Sequence, residues 1–504
     1  MKAVILAGGL GTRLRPLTFT RPKPMIPLLN KPVTQHIIDY LKAHNIDEVI
    51  ITTNYMREYI QQFFGEGEDQ GLKLHYPAEE SPLGTAGSVK NIAHMLKETF
   101  VVIQGDNITD INLSELIKSH KQRGALCSVA LLAVDDPSHY GIADLGDDGR
   151  IRRFHEKPGP DDCFSNLANI GVYVLEPEVL EFIPEDSFFD FSRDLFPVLV
   201  EKESLYGLET KGFWVDVGQP EGYNKARDWL MTKVSNRFGE NIDIGSEFDG
   251  PLVIGDNSRV SGNTKILGPV VIGKNVFIEE GCILGPNTII GDNVVIKKDS
   301  ELYGSVVFEE NTLGVNSNLY DCVLAESCNI GQASKIGFNV VVGSNCDLGQ
   351  RVSVVNDSRI WPNQAISDDS VVNGTLKRFI QMHSVRRDPD WSLRVVSPEE
   401  AFYFNLSQNH NVLYTGFKAK SLEQFSHILE RVDLPSIDYH LREDQNDFRD
   451  WLKGVLCDYH LASVFDEVKL KGFSGDLLRK ALVNNTKSQI NRLTKIVDSK
   501  KAYI

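Results

Sequence analysis

The 504-residue sequence lacks most features of secreted, membrane-spanning and nucleic-acid-binding proteins. Its 53 lysines and arginines are outnumbered by 69 aspartates and glutamates, which gives a formal net charge of −16. A chain this acidic repels phosphate backbones and anionic lipid, so neither nucleic acid nor a membrane surface is an expected partner. No apolar run approaches the roughly 20 residues that a membrane-spanning helix needs. We therefore expect a cytoplasmic protein.

Cysteine is scarce, and its spacing predicts neither a disulfide framework nor a zinc site. None of the seven cysteines lies in a C-x-x-C pair or at zinc-finger spacing from a histidine. We expect all of them to be free thiols in a reducing compartment. They are Cys127, Cys163, Cys282, Cys322, Cys328, Cys346 and Cys457.

Hydrophobic patterning divides the chain into three regions, in agreement with the roughly three domains that its length predicts. Residues 1–235 alternate short β-branched runs with longer segments of helical spacing. This alternation is typical of an α/β, Rossmann-like fold with a mixed, mostly parallel sheet, which binds ligands at the carboxyl ends of its strands. We predict strands at 3–6, 48–52, 100–103, 128–132 and 172–174 and helices at 34–44 and 113–122.

Residues 240–382 carry an internal repeat of six residues. Apolar residues recur at every sixth position from Ile242 to Phe308 and again from Leu324 to Val372, and glycine follows many of them. Glycine suits the tight corners between short strands. The repeat predicts a left-handed parallel β-helix. The slip between the two runs predicts a loop or an irregular coil at 314–321.

The β-helix region lacks one residue that would give it a chemistry of its own. Hexapeptide β-helices often house acyltransferases, which usually use a histidine as general base. The sequence has no histidine between His155 and His383. We therefore expect no acyl transfer and predict a scaffold that supports homo-oligomer formation.

Residues 390–504 have helical periodicity and predict a small, largely α-helical domain. Asp388-Pro389-Asp390 interrupts the chain, and Ser421-Leu422-Glu423-Gln424 has the pattern of a capping box. Apolar residues at 448–456 lie on one face of a second helix, and those at 477–482 indicate a third. The region resembles a small uncharacterised domain of some prokaryotic proteins, and we expect either a packing role or a regulatory or partner-binding role.

A glycine-rich segment follows the first predicted strand. It contains Leu6, Ala7, Gly8, Gly9, Gly11, Thr12 and Arg13, and Lys23 follows within a Pro-Lys-Pro motif. Backbone N–H groups in such a loop can bind phosphate oxygens, and the two cations can neutralise charge that develops at phosphorus. The segment has no Gly-Lys-Ser/Thr and does not match G-x-G-x-x-G, so it is neither a P-loop nor a dinucleotide fingerprint.

Further motifs follow in order along residues 1–225. They are Gly84-Thr85-Ala86-Gly87, Gly105-Asp106, Phe154-His155-Glu156-Lys157-Pro158, Asn169-Ile170-Gly171-Val172-Tyr173 and Trp214-Val215-Asp216-Val217-Gly218. Together with the glycine-rich segment they resemble the sugar-1-phosphate nucleotidyltransferases, many of which carry a hexapeptide domain behind the catalytic one. The segment 79–87 looks like that of mannose-1-phosphate guanylyltransferases.

The resemblance implies a role for each matching residue. Catalysis would depend on Arg13, Lys23, Asp106 and Asp216. Asp106 and Asp216 would bind Mg²⁺, a hard cation that prefers carboxylate and phosphate oxygens. Nucleotide binding would involve Leu6, Ala7, Gly8, Gly9, Gly11, Thr12, Glu79, Gly84 and Thr85. Sugar-phosphate binding would involve Gly141, Glu156, Lys157 and Asn169. The implied reaction is in-line attack of a sugar-phosphate oxygen on the nucleotide α-phosphorus, which releases pyrophosphate.

The base contact implied for Glu79 favours GTP as the nucleotide. A carboxylate only accepts hydrogen bonds and can pair with the adjacent N1–H and N2–H₂ donors of guanine. The resemblance to mannose-1-phosphate guanylyltransferases then implies transfer to a sugar 1-phosphate, mannose 1-phosphate foremost. Two alternatives stay open: a thymidylyl- or uridylyltransferase acting on glucose 1-phosphate, and a catalytically silent homologue that binds nucleotide sugars and regulates.

Overall fold

The computed structural model divides the chain into two compact units, Met1–Gln381 and Met382–Ile504. The described residues are 1–9, 11–53, 56–79, 82–159, 162–376, 393, 395–396, 401–408, 411–441, 446–456 and 458–501. The first unit contains both the α/β region and the repeat region. The predicted break at 388–390 and Cys457 lie outside the described residues.

The α/β region is built on a nine-stranded sheet in the order β10-β9-β11-β6-β1-β4-β5, with β8 beside β11 and β12 beside β8. Strands β2 and β3 pair with each other, as do β7 and β13. In chain order the strands are β1 Lys2–Leu6, β2 Pro27–Leu28, β3 Lys31–Pro32, β4 Glu48–Thr52, β5 Lys73–His75, β6 Phe100–Gln104, β7 Asn107–Thr109, β8 Cys127–Ala133, β9 Gly141–Leu145, β10 Ile151–Glu156, β11 Leu167–Leu175, β12 Leu205–Glu209 and β13 Trp214–Asp216.

The sheet is mixed, as predicted. Strand β1 pairs in parallel with β4 and β6, whereas β11 runs antiparallel to both β6 and β8. The central strands are continuous apolar runs because they are covered on both faces. The covering helices are α1 Val33–Ala43, α2 Arg57–Phe64, α3 Gly84–Asn91, α4 Leu113–Arg123, α5 Phe196–Glu201 and α6 Pro220–Met231.

The repeat region is a parallel β-helix with three faces, which confirms the predicted architecture. Each strand pairs in parallel with the strand one coil further on. The first face holds Arg237–Phe238, Leu252–Ile254, Val270–Ile272, Thr288–Ile290, Val306–Val307, Val323–Leu324, Val341–Val342, Arg359–Ile360 and Thr375–Leu376. The second holds Asp243–Ile244, Arg259–Val260, Phe277–Ile278, Val295–Ile296, Thr312–Leu313, Asn329–Ile330, Asp347–Leu348 and Ala365–Ile366. The third holds Phe248–Asp249, Lys265–Leu267, Ile283–Leu284, Glu301–Tyr303, Asn318–Tyr320, Lys335–Ile336, Ser353–Val354 and Val371–Val372.

Of the two alternatives predicted at 314–321, the loop is wrong, because Asn318–Tyr320 is a regular strand of the third face. The irregular coil is confirmed, since this coil is one residue shorter than the regular coils before it. The register shifts at two shortened corners, 303–306 and 320–323. Each removes one residue, so that Ile289 pairs with Val306 and Val306 pairs with Val323, both 17 positions on, whereas Val271 pairs with Ile289, 18 positions on. Val307 therefore takes the inward position that the six-residue period assigns to Phe308.

One face of the β-helix packs against the α/β region. Val271, Ile289, Val306, Val323 and Val341 project from successive coils of the first face and are buried in the same apolar cluster as the helices and strands of the α/β region. A cluster shared in this way stabilises the two regions together. The first unit is consequently one body with two architectures.

The second unit combines helices with a β-hairpin that the periodicity did not predict. The hairpin pairs Phe402–Gln408 with Asn411–Ala419. The helices are α7 Leu422–Leu429, α8 Leu434–His440, α9 Asp447–Gly454, α10 Tyr459–Leu470 and α11 Gly475–Lys501. The predicted capping box is confirmed, since Ser421 Oγ accepts from Gln424 N at 3.2 Å and Gln424 Oε1 accepts from Lys420 N at 2.9 Å.

The core of the second unit is aromatic and contains a buried histidine, His440, which lies against Phe402 and Phe448. Its Nε2 accepts from Asn405 N at 2.8 Å, so Nδ1 donates to Asp447 Oδ2 at 2.8 Å. These bonds tie the hairpin to α8 and α9 and satisfy both ring nitrogens.

Among the helices described in either unit, none is long and apolar enough to cross a membrane.

The regular strand at Asn318–Tyr320 gives a stability prediction. Replacing Leu319 by alanine is expected to cost about 2–5 kcal/mol, because Leu319 is fully buried inside the β-helix. Lys335→Ala on the next coil is the control, since Lys335 is exposed and is expected to change stability by less than about 0.5 kcal/mol. Denaturant midpoints of the two variants compare them. Equal midpoints would mean that Leu319 does not pack inside the β-helix.

Candidate active site

The glycine-rich segment leaves the carboxyl end of β1 beside the end of β6. Gly105 N donates to Leu6 O at 2.9 Å, and a Cβ at Gly105 would lie 2.7 Å from that oxygen, so only glycine allows the approach. Gly11 has a φ of 61°, and its carbonyl accepts from Thr18 Oγ1 at 2.8 Å. Ala7 is buried, while Gly8, Gly9, Thr12 and Arg13 are exposed at this edge of the sheet. The predicted phosphate-binding segment is therefore accessible to a ligand.

Lys23, Asp106 and Asp216 come together at this edge. The Lys23 ammonium donates to Asp106 Oδ2 and lies 3.5 Å from Asp216 Oδ1. Asp106 sits in the turn between β6 and β7, and Asp216 ends β13, whose pairing with β7 places it opposite Asn107. Val217 N donates to Asp106 O at 2.9 Å and fixes the two carboxylates side by side. Three residues that are distant in sequence thus form one charged centre.

Burial shifts the pKa of one carboxyl group in this centre, that of Asp216. Desolvation, and after it the charge of Asp106, raises the pKa of Asp216, while Lys23 and Arg13 oppose that shift. Gly218 N donates to Asp216 Oδ1 at 2.6 Å. Lys23 is only 7% exposed, and a buried ammonium requires nearby carboxylates to be stable. Arg13 acts on the charge of Asp216, which places Arg13 within electrostatic reach of that carboxylate.

The donor set fits a magnesium ion that binds through few protein ligands. Among the described residues there is no group of three or more histidine, cysteine, aspartate or glutamate side chains that could hold a metal. Mg²⁺, however, is commonly bound by one or two carboxylates, with water and substrate phosphates as its other ligands. Asp106 and Asp216 are a pair of this type, and the Lys23 ammonium between them shows that the position attracts positive charge.

The predicted sugar-side residues form a second group. Glu156 ends β10 directly opposite Gly141, where a Cβ would lie 2.6 Å from Glu156 Oε2. Desolvation by burial raises the pKa of Glu156. Lys157 follows with a φ of 51° and is exposed, and its N–H donates to Tyr140 O at 3.0 Å. The exposed Lys157 ammonium is thus available to a phosphate.

Tyr140 connects this group to the charged centre. Its ring meets Trp214 edge to face at 5.1 Å, two residues before Asp216. Burial raises the pKa of Tyr140, with Asp216 as the next cause. The aromatic pair therefore links the two groups through packing.

Two residues that sequence reasoning missed, Asp190 and Ser192, join the nucleotide side to the sugar side. Asp190 Oδ2 accepts from Thr85 Oγ1 at 2.8 Å, so the Thr85 hydroxyl is committed to the protein. Asn169 Nδ2 donates to Ser192 Oγ at 3.2 Å, and Ser192 also bonds to Glu156. The available signal was Asp190 as the N-cap of a helix, which by itself indicates only capping.

Glu79 lies just before α3, the helix that begins at Gly84. Its Oε1 accepts from Leu83 N at 3.0 Å, and the nearby Ser88 hydroxyl donates to Gly84 O at 2.6 Å. Desolvation by burial raises the pKa of Glu79. Gly84 has a φ of 73° and packs on the Phe189 backbone, where a Cβ would lie 2.7 Å from Phe189 O. The predicted base-side residues thus shape the entry to α3 and present a half-buried carboxylate.

A Rossmann-like sheet with a glycine-rich loop, a lysine and two carboxylates at its edge defines a nucleotidyl-transferring enzyme. The Nucleotidyl transferase family model matches residues 2–232, and the GMPPB C-terminal domain model matches 266–376. A family of unknown function (DUF5752) matches 370–493. Relatives that are 35% identical, and of which the chain covers about three quarters, show that the chain belongs to the sugar-1-phosphate nucleotidyltransferases.

Individual relatives agree with this assignment. A UTP--glucose-1-phosphate uridylyltransferase of Synechocystis is 35% identical over 53% of this chain and 77% of its own length. A mannose-1-phosphate guanylyltransferase catalytic subunit beta of Danio rerio is 35% identical over 52% of this chain and 74% of its own length. The crystal structure of HddC from Yersinia pseudotuberculosis covers 45% of this chain and 99% of that one, at 30% identity and a TM-score of 0.41.

The charged centre gives a prediction about turnover. Asp216→Asn is expected to lower kcat by about 10²–10³-fold, the usual effect of losing one preorganised electrostatic contact. Pyrophosphate release measures it. Asp144→Asn is the control, since Asp144 is an exposed residue of β9 in the same region. Similar kcat values in the two variants would mean that Asp216 takes no part in the chemical step.

Proposed function

We propose that the chain transfers a guanylyl group from GTP to mannose 1-phosphate, giving GDP-mannose and pyrophosphate. The observation that carries the choice of nucleotide is the half-buried carboxylate of Glu79. The proposal also draws on relatives named mannose-1-phosphate guanyltransferase, of which the chain covers about three quarters.

The argument for guanine is a matter of donors and acceptors. A half-buried carboxylate is costly unless donors surround it, and Leu83 N supplies part of that requirement. Guanine offers two adjacent N–H donors, N1–H and N2–H₂, that suit a carboxylate. Uracil and thymine offer a single N–H between two carbonyl oxygens, and these would meet the acceptor-only side chain unfavourably.

The chemistry proposed for the charged centre is positioning and charge neutralisation. Lys23 and Arg13 would hold the triphosphate, while the backbone N–H groups of Gly8, Gly9 and Gly11 would contact its oxygens. The sugar-phosphate oxygen would then attack the α-phosphorus in line with the departing pyrophosphate. Orientation of two bound reactants accounts for a large part of such catalysis, so no general base is required.

We propose Mg²⁺ as the cofactor, held by Asp106 and Asp216. When bound, it would neutralise phosphate charge and orient the triphosphate. This chain's own contribution is to keep two carboxylates side by side next to Lys23.

On the sugar side, we propose that Glu156, Asn169 and the Gly141 backbone bind hydroxyl groups and that Lys157 binds the phosphate. Glu156 and Asn169 support this role because Ser192 bonds to both and orients them together. Asn169 Nδ2 also donates to Tyr173 OH at 3.1 Å, so its amide orientation is fixed. Cytoplasmic location and a homo-oligomer formed through the β-helix stay predictions.

A uridylyltransferase that uses glucose 1-phosphate is the second candidate. The Synechocystis relative with that name matches over 298 residues, at the same 35% identity as the Danio rerio guanylyltransferase. The deciding experiment measures Mg²⁺-dependent pyrophosphate release with GTP, UTP, dTTP, ATP and CTP, each with mannose, glucose and N-acetylglucosamine 1-phosphates. GTP with mannose 1-phosphate is expected to give the highest kcat/KM. A preference for UTP or dTTP with glucose 1-phosphate would overturn the guanine argument.

Glu79 provides the sharper prediction. Glu79→Gln is expected to lower kcat/KM for GTP by roughly 10-fold, or about 1.4 kcal/mol, because the amide presents a donor where guanine needs an acceptor. The kcat/KM for UTP is expected to stay level or rise, so the ratio of the two values is the measurement. Glu66→Gln, on the loop before β5, is the control variant. An unchanged ratio in Glu79→Gln would mean that Glu79 does not contact the base.

A further inference from the structure

The segment that carries Lys23 is fastened to the β-helix immediately before it reaches the charged centre. Arg21 NH2 lies 2.6 Å from Glu309 Oε1 and 2.9 Å from Glu326 Oε2. The guanidinium also lies over the Phe308 ring, 5.2 Å from its centroid. Arg21 is only 5% exposed, so this is a buried two-carboxylate contact rather than a surface ion pair.

Two neighbouring residues of the segment also contact the β-helix. Thr20 Oγ1 lies 2.8 Å from Ser344 Oγ, and the Phe19 ring lies 4.4 Å from that of Trp361. Between Arg21 and Lys23 there is a single residue, Pro22, whose ring restricts the backbone. A displacement of Arg21 is therefore expected to displace Lys23 as well.

Glu309 and Glu326 occupy equivalent positions in successive coils, each three residues after a strand of the first face begins. They are 17 residues apart, as are Val306 and Val323, which pair at the start of those strands. The β-helix thus presents two carboxylates, one above the other, to a single guanidinium.

The two shortened corners of the β-helix contact α6, the helix that follows Asp216. Arg227 NH1 donates to Gly304 O at 3.0 Å in one corner and to Asp321 Oδ1 at 3.1 Å in the next. Arg227 belongs to α6, which begins four residues after Asp216. The helix lies so close to that aspartate that a Cβ at Gly222 would be 2.0 Å from Asp216 O.

We propose that the two shortened coils of the β-helix position the catalytic residues, Arg21 holding the Lys23 segment and Arg227 holding α6 behind Asp216. This inference rests on the proposed function, since it takes Lys23 and Asp216 as catalytic. The β-helix then sets the separation of the ammonium and the carboxylates, and Arg21, Glu309, Glu326 and Arg227 are positioning residues. The slip in the six-residue repeat arises at the two shortened corners, and these corners supply the oxygen atoms to which Arg227 donates.

The kinetic consequence is specific. Small misplacements of groups that orient reactants cost up to about 10²-fold in rate, even when the altered residue is distant from the chemistry. Neutralising Glu309 and Glu326 is expected to lower kcat by about 10-fold or more. The KM for the sugar 1-phosphate should stay within about 2-fold, because Glu156 and Asn169 belong to other elements and do not depend on this contact.

The test compares Glu309→Gln/Glu326→Gln with Glu310→Gln in the full-length protein. Glu310 is exposed beside Glu309 and accepts a hydrogen bond from Ser327, so its variant matches Glu309→Gln in charge and coil without touching Arg21. Kinetics are measured well below the melting temperature of each variant, with the best substrate pair of the wild type. The single variant Glu309→Gln serves if the double variant does not fold.

Hydrogen exchange without substrates provides the second readout. Met25 N donates to Pro22 O at 2.8 Å and Ile26 N donates to Lys23 O at 3.1 Å, so both amides report on the Lys23 segment. Faster exchange there, together with the fall in kcat, is the expected result for the double variant and is absent from Glu310→Gln. Unchanged kcat, with or without faster exchange, overturns the inference. A wild-type protein that releases no pyrophosphate with any substrate pair overturns the proposed function instead, and unchanged exchange in the double variant would then overturn the positioning inference by itself.

Discussion

The structure of the first unit depends on one buried cation between two carboxylates. Lys23 is only 7% exposed, and its ammonium is stable there because Asp106 and Asp216 lie next to it. The ammonium in turn offsets the repulsion between the two carboxylates. Each residue comes from a different element, so the β6–β7 turn, the end of β13 and the segment after β1 must all hold their positions. The charges specify this geometry more than they stabilise the fold.

That requirement extends outward through the backbone. Gly105, Gly218 and Gly222 are glycines because neighbouring backbone or charged atoms occupy the space where a Cβ would stand. Arg21 and Arg227 carry the requirement further, onto the surface of the β-helix. A parallel β-helix is well suited to receive it, since every coil is hydrogen-bonded to the next and the interior is filled with Ile, Leu and Val. The repeat region is thus a rigid support for the α/β region.

Much of this was predictable from sequence, because periodicity and glycine spacing report local geometry directly. The α/β order, the β-helix and the cap at Ser421 followed from such signals. The inward positions from Ile254 to Leu302 and from Leu324 to Val372 followed as well. Between these runs the register did not, since Val307 and Phe308 are both apolar and the six-residue period does not show that Val307 points inward. Asp190 and Ser192 were missed because a helix cap has the same pattern whether or not it also orients Asn169.

The two coils with shortened corners indicate a functional contact that the regular coils of the repeat do not. In a β-helix each coil contacts only its neighbours, so the packing of the coils further along does not require a shortened corner. Two consecutive shortenings that coincide with the Gly304 and Asp321 contacts to Arg227 are therefore explained better by docking than by packing. Departures from a local rule are expected at positions that serve the active site. The break in the six-residue period thus belongs to the active site as much as the glycine-rich loop does.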